Sequence, residues 1–132
     1  PAAVAEILRV LRPGGTARIM IYHTRSLTGY MLWARYGLMR FRPGISMKEI
    51  YAKHLESPGT KAYSVAEAKD LFGAYDDVDI RIQLNYGDLL QSEVGRRHRG
   101  PLLKIAKALW PRPLLRLFCK NHGLYLLINA RK

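Results

Sequence analysis

Three groups of side chains in this sequence have the types needed for chemistry. Tyr22 and His23 close the apolar segment Thr16–Tyr22, TARIMIY. A histidine exchanges a proton near neutral pH, so His23 is a candidate general base, and equally a pocket-lining or strand-capping side chain. Tyr30, Trp33 and Tyr36 follow on the next segment, where aromatic rings can enclose an apolar or aromatic small molecule or fill ordinary core. His54, Glu56 and Thr60 share the loop HLESPGTK and are candidate substrate contacts. A metal is not expected there, because two ligands two positions apart in a loop do not complete a site.

These side chains need a scaffold, and the patterning supplies one. Val4, Ile7, Leu8 and Leu11 fall on one helical face over residues 2–12, and Pro13-Gly14-Gly15 stops that helix. TARIMIY then reads as a strand with apolar residues on both parities, as expected if both sheet faces are covered. Ser26 opens a second helix with Leu27, Tyr30, Met31, Ala34 and Leu38 at helical spacing, ending before Pro43-Gly44. Ser46…Glu49 and Ser64…Glu67 each have the spacing of a capping box, opening one helix to about Leu55 and another with Val65, Ala68, Leu71, Phe72 and Tyr75 inward. The polar stretch between them reads as a loop. Residues 78–85, VDIRIQLN, alternate strictly and predict a strand with one buried face near a sheet edge. A loop over 86–100 and a helix over 101–110 follow, broken by Pro111 and Pro113. LYLLINA, residues 124–130, is an unbroken apolar run and predicts a central strand buried on both faces. The parities favour the sheet order first–last–middle.

A chain of 132 residues makes one domain, and no apolar run reaches the ~20 residues of a membrane-spanning helix. Cys119 is the sole cysteine, which excludes an internal disulfide and points to a reducing, cytoplasmic setting. It is expected to be a buried structural thiol. The net charge is +12, of which +10 lies after Glu93, where no acidic residue occurs. Arg96-Arg97-His98-Arg99 is a solvated loop, a clamp for a phosphate or carboxylate, or a contact with an anionic membrane. Leu114, Leu115, Leu117 and Phe118 beside Arg112, Arg116 and Lys120 fit a membrane surface. Nucleic acid ranks lower, since no aromatic residues interleave with the basic run.

The stretch Glu6-Ile7-Leu8-Arg9-Val10-Leu11-Arg12-Pro13-Gly14-Gly15 and the strand to Tyr22 resemble the class I S-adenosylmethionine-dependent methyltransferases, in their C-terminal half. YSVAEAKDLFGAYDDVDIRIQL is similar to that family's next helix and sixth strand, and GLYLLINARK to its antiparallel seventh. The resemblance implies an α/β fold: the C-terminal part of a doubly wound, Rossmann-like methyltransferase sheet, strands five, six and seven with seven between the others, plus a helical insert over residues 24–63 covering the acceptor pocket. The whole of 1–132 would be one portion of a single methyltransferase domain. It also implies a small-molecule methyl acceptor, touched by Tyr22, His23, Tyr30, Trp33, His54, Glu56 and Thr60, with direct transfer from the sulfonium methyl group. The family holds S-adenosylmethionine with a glycine-rich loop and an acidic residue. This sequence has no G-x-G, so the cofactor is expected on a missing N-terminal half and the chain alone is expected to be inactive. The competing expectation is a non-enzymatic basic α/β module binding RNA or an anionic membrane through residues 94–132.

Overall fold

In the computed structural model, residues 2–55, 58–91, 108 and 110–132 are described. Helix α1 (Ala2–Val10) ends where Gly14 takes φ +73°, a backbone conformation that glycine adopts without a Cβ penalty. Lys132 closes that helix end: its Nζ donates to the Leu8 and Leu11 carbonyls at 2.7 and 2.9 Å, which have no partner within the helix. The chain then enters β1 (Thr16–His23), α2 (Leu27–Tyr36), a 3-10 turn (Leu38–Arg40) and α3 (Met47–His54). Beyond lie β2 (Ala62–Tyr63), α4 (Val65–Leu71), β3 (Asp77–Gln83), α5 (Arg112–Phe118), a second 3-10 turn (Lys120–His122) and β4 (Tyr125–Arg131).

The sheet has the order β2-β1-β4-β3, so the first–last–middle order read from parity is the observed one. β4 runs antiparallel to both β1 and β3, while β2 pairs parallel with the end of β1. The registers stack three apolar rows across the sheet: Ala17, Ala130 and Val78; Ile19, Ile128 and Ile80; Ile21, Leu126 and Ile82. α1, α4 and the residue that follows each cover this face, with Val4, Ile7, Leu8, Leu11, Ala68 and Phe72. Each large side chain buried there contributes roughly 1.5–3 kcal/mol relative to exposure.

The other face corrects the expectation that β1 and β4 are covered on both sides. Met20 and Leu127 are cross-strand partners and both are exposed, in a row with the exposed Arg81. Hydrophobicity on both parities therefore did not mean burial on both faces. Among the described residues, that side is covered at the carboxyl end of β1 and the start of β4, where Tyr22 and Tyr125 pack with Tyr51, Met47 and Leu55 of the α3 region.

Five smaller expectations are also corrected. The polar loop before Ser64 yields a short strand, β2, because buried Ala62 and its neighbour Tyr63 pair with Tyr22 and His23. Pro111 and Pro113 start helix α5 instead of only breaking one, since a first turn needs no N–H from proline. Ser64 and Glu67 form the full reciprocal capping box, whereas Glu49 leaves the Ser46 cap and pairs with Lys53 at 2.6 Å. In α2 the buried positions are Leu27, Gly29 and Leu32, while Tyr30 and Leu38 of the expected stripe are exposed. Cys119, at the end of α5, is half-buried rather than buried. The expected helix over 101–110 and the run Arg96-Arg97-His98-Arg99 fall almost entirely outside the described residues, as does Glu56.

Candidate functional site at the carboxyl end of the first strand

His23 ends β1 and is only 4% exposed. Its N–H donates to the Leu124 carbonyl at 2.7 Å, and its ring Nδ1 lies 3.1 Å from the Gly123 carbonyl oxygen. A carbonyl only accepts, so the proton sits on Nδ1 and the neutral ring presents Nε2 as a lone pair. Burial pushes the imidazole pKa below its ordinary 6.5; the Gly123 hydrogen bond opposes this, and His122 and Arg25 add to it. Burial thus favours the neutral imidazole, and the Gly123 hydrogen bond fixes its tautomer with the Nε2 lone pair free of a proton.

A relay of hydroxyls fixes the His23 backbone from the other side. The Tyr51 hydroxyl donates to the His23 carbonyl at 2.9 Å. Its one proton is thereby used, so Ser26 Oγ is the donor in the 2.6 Å contact with Tyr51. Ser26 Oγ in turn accepts the Gly29 N–H at 2.9 Å and caps α2. Burial holds the Tyr51 hydroxyl protonated, with its pKa pushed up to about 12. A Cβ on Gly29 would collide with the Tyr51 hydroxyl, so the close approach of α2 to α3 depends on that glycine.

Asp88 is the third support. Its carboxylate is fully buried and accepts from the Thr28 N–H and hydroxyl at 3.0 and 2.8 Å, the Asn85 N–H at 3.1 Å and the Leu124 N–H at 2.8 Å. Its own carbonyl accepts from the Trp110 indole at 3.0 Å. One side chain thus ties the start of α2, the turn after β3 and the residue before β4 into the ring around His23. Two further polar atoms nearby, Thr24 Oγ1 and His122 Nδ1, are buried without a hydrogen-bond partner among the described residues.

Of the residues singled out in the sequence, Tyr22, His23 and Tyr30 gather here. Tyr22 packs its ring 5.8 Å from that of Tyr125, and Tyr30 lies 5.8 Å from His122, the residue before Gly123. Trp33 is half-buried further along α2, where its carbonyl accepts the Gly37 N–H. His54 is engaged elsewhere, stacked flat on Tyr36 at 3.8 Å, with its pKa lowered by burial, Arg40 and Lys53. Thr60 lines a cleft of about 760 Å³ with Lys48, Ala52, Lys61, Tyr63 and Glu67, and His23 does not line it. The Lys48–Glu67 ion pair bridges that cleft at 2.5 Å and holds the Glu67 carboxyl down at about 2, aided by Ser64.

Sequence reasoning missed Tyr51 and Asp88. The Asn85-Tyr86-Gly87-Asp88 turn signal was available for Asp88. Nothing local marked Tyr51, whose role depends on α3 packing against α2. No group of His, Cys, Asp and Glu among the described residues is arranged to hold a metal ion, and no described helix is long and apolar enough to cross a membrane.

Comparison with family models, curated proteins and solved structures finds no match to this chain.

Proposed function

We propose that this chain is the acceptor-side part of an S-adenosylmethionine-dependent methyltransferase acting on a small organic molecule. One observation carries the reading: a strand antiparallel to both neighbours, β4, lies between β1 and β3, with a buried histidine at the carboxyl end of β1. In open α/β sheets that end is where ligands sit. His23, held at its N–H, its carbonyl and its Nδ1, can receive a proton from an acceptor at Nε2 or orient it there. Tyr30 and the unpartnered Thr24 Oγ1 and His122 Nδ1 are available to shape the acceptor's surroundings.

The cofactor does not fit this chain's own residues. There is no G-x-G, and the buried carboxylate of Asp88 has four donors already, leaving nothing for ribose hydroxyls. The reading therefore gives this chain the acceptor alone, and S-adenosylmethionine to a second half of the domain.

The test uses the protein translated from the whole reading frame that contains these 132 codons. Transfer of labelled methyl groups to small acceptors is expected, with His23→Ala lowering turnover or raising the acceptor KM while cofactor affinity stays unchanged. If His23 is a base, the loss is about 10²-fold or more and the pH profile of turnover changes. Absence of both transfer and cofactor binding in that protein removes the reading. Equal turnover and acceptor KM in wild type and His23→Ala removes His23 from it.

A further inference from the structure

Three exposed hydrophobic side chains follow one another at the turn after α2. Leu38 is 56% exposed, Met39 61% and Phe41 95%. The turn that carries them is built, not loose. The Gly37 N–H donates to the Trp33 carbonyl at 2.7 Å, the Phe41 N–H to the Leu38 carbonyl at 3.1 Å, and the Arg42 N–H to the Gly37 carbonyl at 2.8 Å. Phe41 is held at φ +55°, a left-handed conformation uncommon for a bulky residue. An observed outlier of this kind is a reason to look for a role.

The surroundings are cationic. No acidic residue occurs between Glu6 and Glu49, and Glu49 is paired with Lys53. Arg35 and Arg40 lie 5.4 and 5.3 Å from the Tyr36 ring centroid, and Arg42 follows Phe41 directly. Arginines on a stacked aromatic base beside outward apolar tips suit a surface that is anionic outside and apolar just beneath.

We infer that the tip Leu38–Arg42 docks on an anionic lipid surface, with Leu38, Met39 and Phe41 entering the interface and Arg35, Arg40 and Arg42 at the headgroups. Charge complementarity selects this occupant. A second copy would set these arginines against their own counterparts, and five residues bury far less than the ~800 Å² per partner of a stable dimer. Single-stranded nucleic acid would use Phe41 and the arginines but has no use for Leu38 and Met39. The inference does not depend on methyl transfer, since it concerns a surface separate from His23.

The test is sedimentation of the chain with phosphatidylserine-containing vesicles and with neutral phosphatidylcholine vesicles. Binding to the anionic vesicles alone is expected, weakening with salt. Phe41→Gly is expected to lower it at least tenfold; glycine suits φ +55°, so that loss is not a folding failure. Arg40→Gln and Arg42→Gln are each expected to cost about fivefold. Phe41→Trp should gain fluorescence that brominated acyl chains quench, above the signal of Trp33 and Trp110. Equal binding by wild type and Phe41→Gly overturns the inference, as does no vesicle binding at all. Loss confined to Leu117→Ser with Phe118→Ser assigns docking to α5 and overturns it too. Dimerisation or RNA binding abolished by Phe41→Gly, without vesicle binding, gives the tip another occupant and has the same consequence.

Discussion

The carboxylate of Asp88 and the backbone N–H of Leu124 meet at 2.8 Å across 36 residues of chain, and that contact ties the turn after β3 to the start of β4. The same carboxylate holds Thr28 and Asn85, so its loss strands several buried donors at once. Asp88→Ala is expected to cost about 3 kcal/mol or more, given about 1–3 kcal/mol for each buried group left unsatisfied. Asp88→Asn should fall between, because one acceptor oxygen remains while an NH₂ faces donors. Urea midpoints at unchanged slope measure both; an Asp88→Ala midpoint equal to wild type would show the network to be dispensable.

Tyr51 makes a comparable prediction for the other side of His23. Tyr51→Phe keeps the ring in its packed position and removes only the hydroxyl between Ser26 and the His23 carbonyl. A buried carbonyl and a buried hydroxyl lose their partner, at about 1–3 kcal/mol. Gly29→Ala should destabilise more, since the new methyl collides with that hydroxyl and forces α2 away from α3. Chemical denaturation ranks the two variants, and the reverse order would contradict the close approach.

Stability should fall with acid in two stages. The pKa values of His23 and His54 lie below their ordinary 6.5 in the folded chain, the first chiefly through burial, the second through burial, Arg40 and Lys53. As pH drops below 6.5 the unfolded chain takes up these protons before the folded one, so stability declines until the folded imidazoles also protonate. A second decline starts near 4.5 and ends near 2, because Glu67 is held at about 2 by Lys48 and Ser64; Glu49, lowered by Lys53, adds to it. Denaturation midpoints across a pH series should show both stages. The first should shrink in a His23→Gln, His54→Gln double variant, and an undiminished first stage would assign it to other groups.

Local signals located the elements well where a physical stop or cap was encoded. Pro13-Gly14-Gly15 ends α1, Ser26 and Ser64 cap their helices, and the alternation of VDIRIQ sets β3 at the sheet edge. What sequence could not carry was which face receives a partner. Met20 and Leu127 look identical in pattern to Ile19 and Ile128, yet only the second pair meets α1 and α4. The site shows the same division. His23 was legible because it ends an apolar strand, whereas the Ser26–Tyr51 relay and the Asp88 tie join segments 25 and 36 residues apart or more.

β1 has one edge fully paired by β4, while along the other β2 pairs only with Tyr22 and His23. Residues Thr16–Ile21 thus present an edge that no described strand occupies, beside the exposed Met20 and Leu127. An unpaired edge next to apolar surface templates pairing with another chain. The isolated chain is therefore expected to associate as concentration rises, measured by static light scattering. Met20→Lys should suppress this association with little loss of stability, because Met20 faces outward and a charge on an edge strand opposes pairing. Ile21→Lys should instead unfold the protein, since Ile21 packs against the core beside Leu126. A wild-type chain that stays monomeric throughout the series would show that this edge is protected and would remove the expected docking place for another strand.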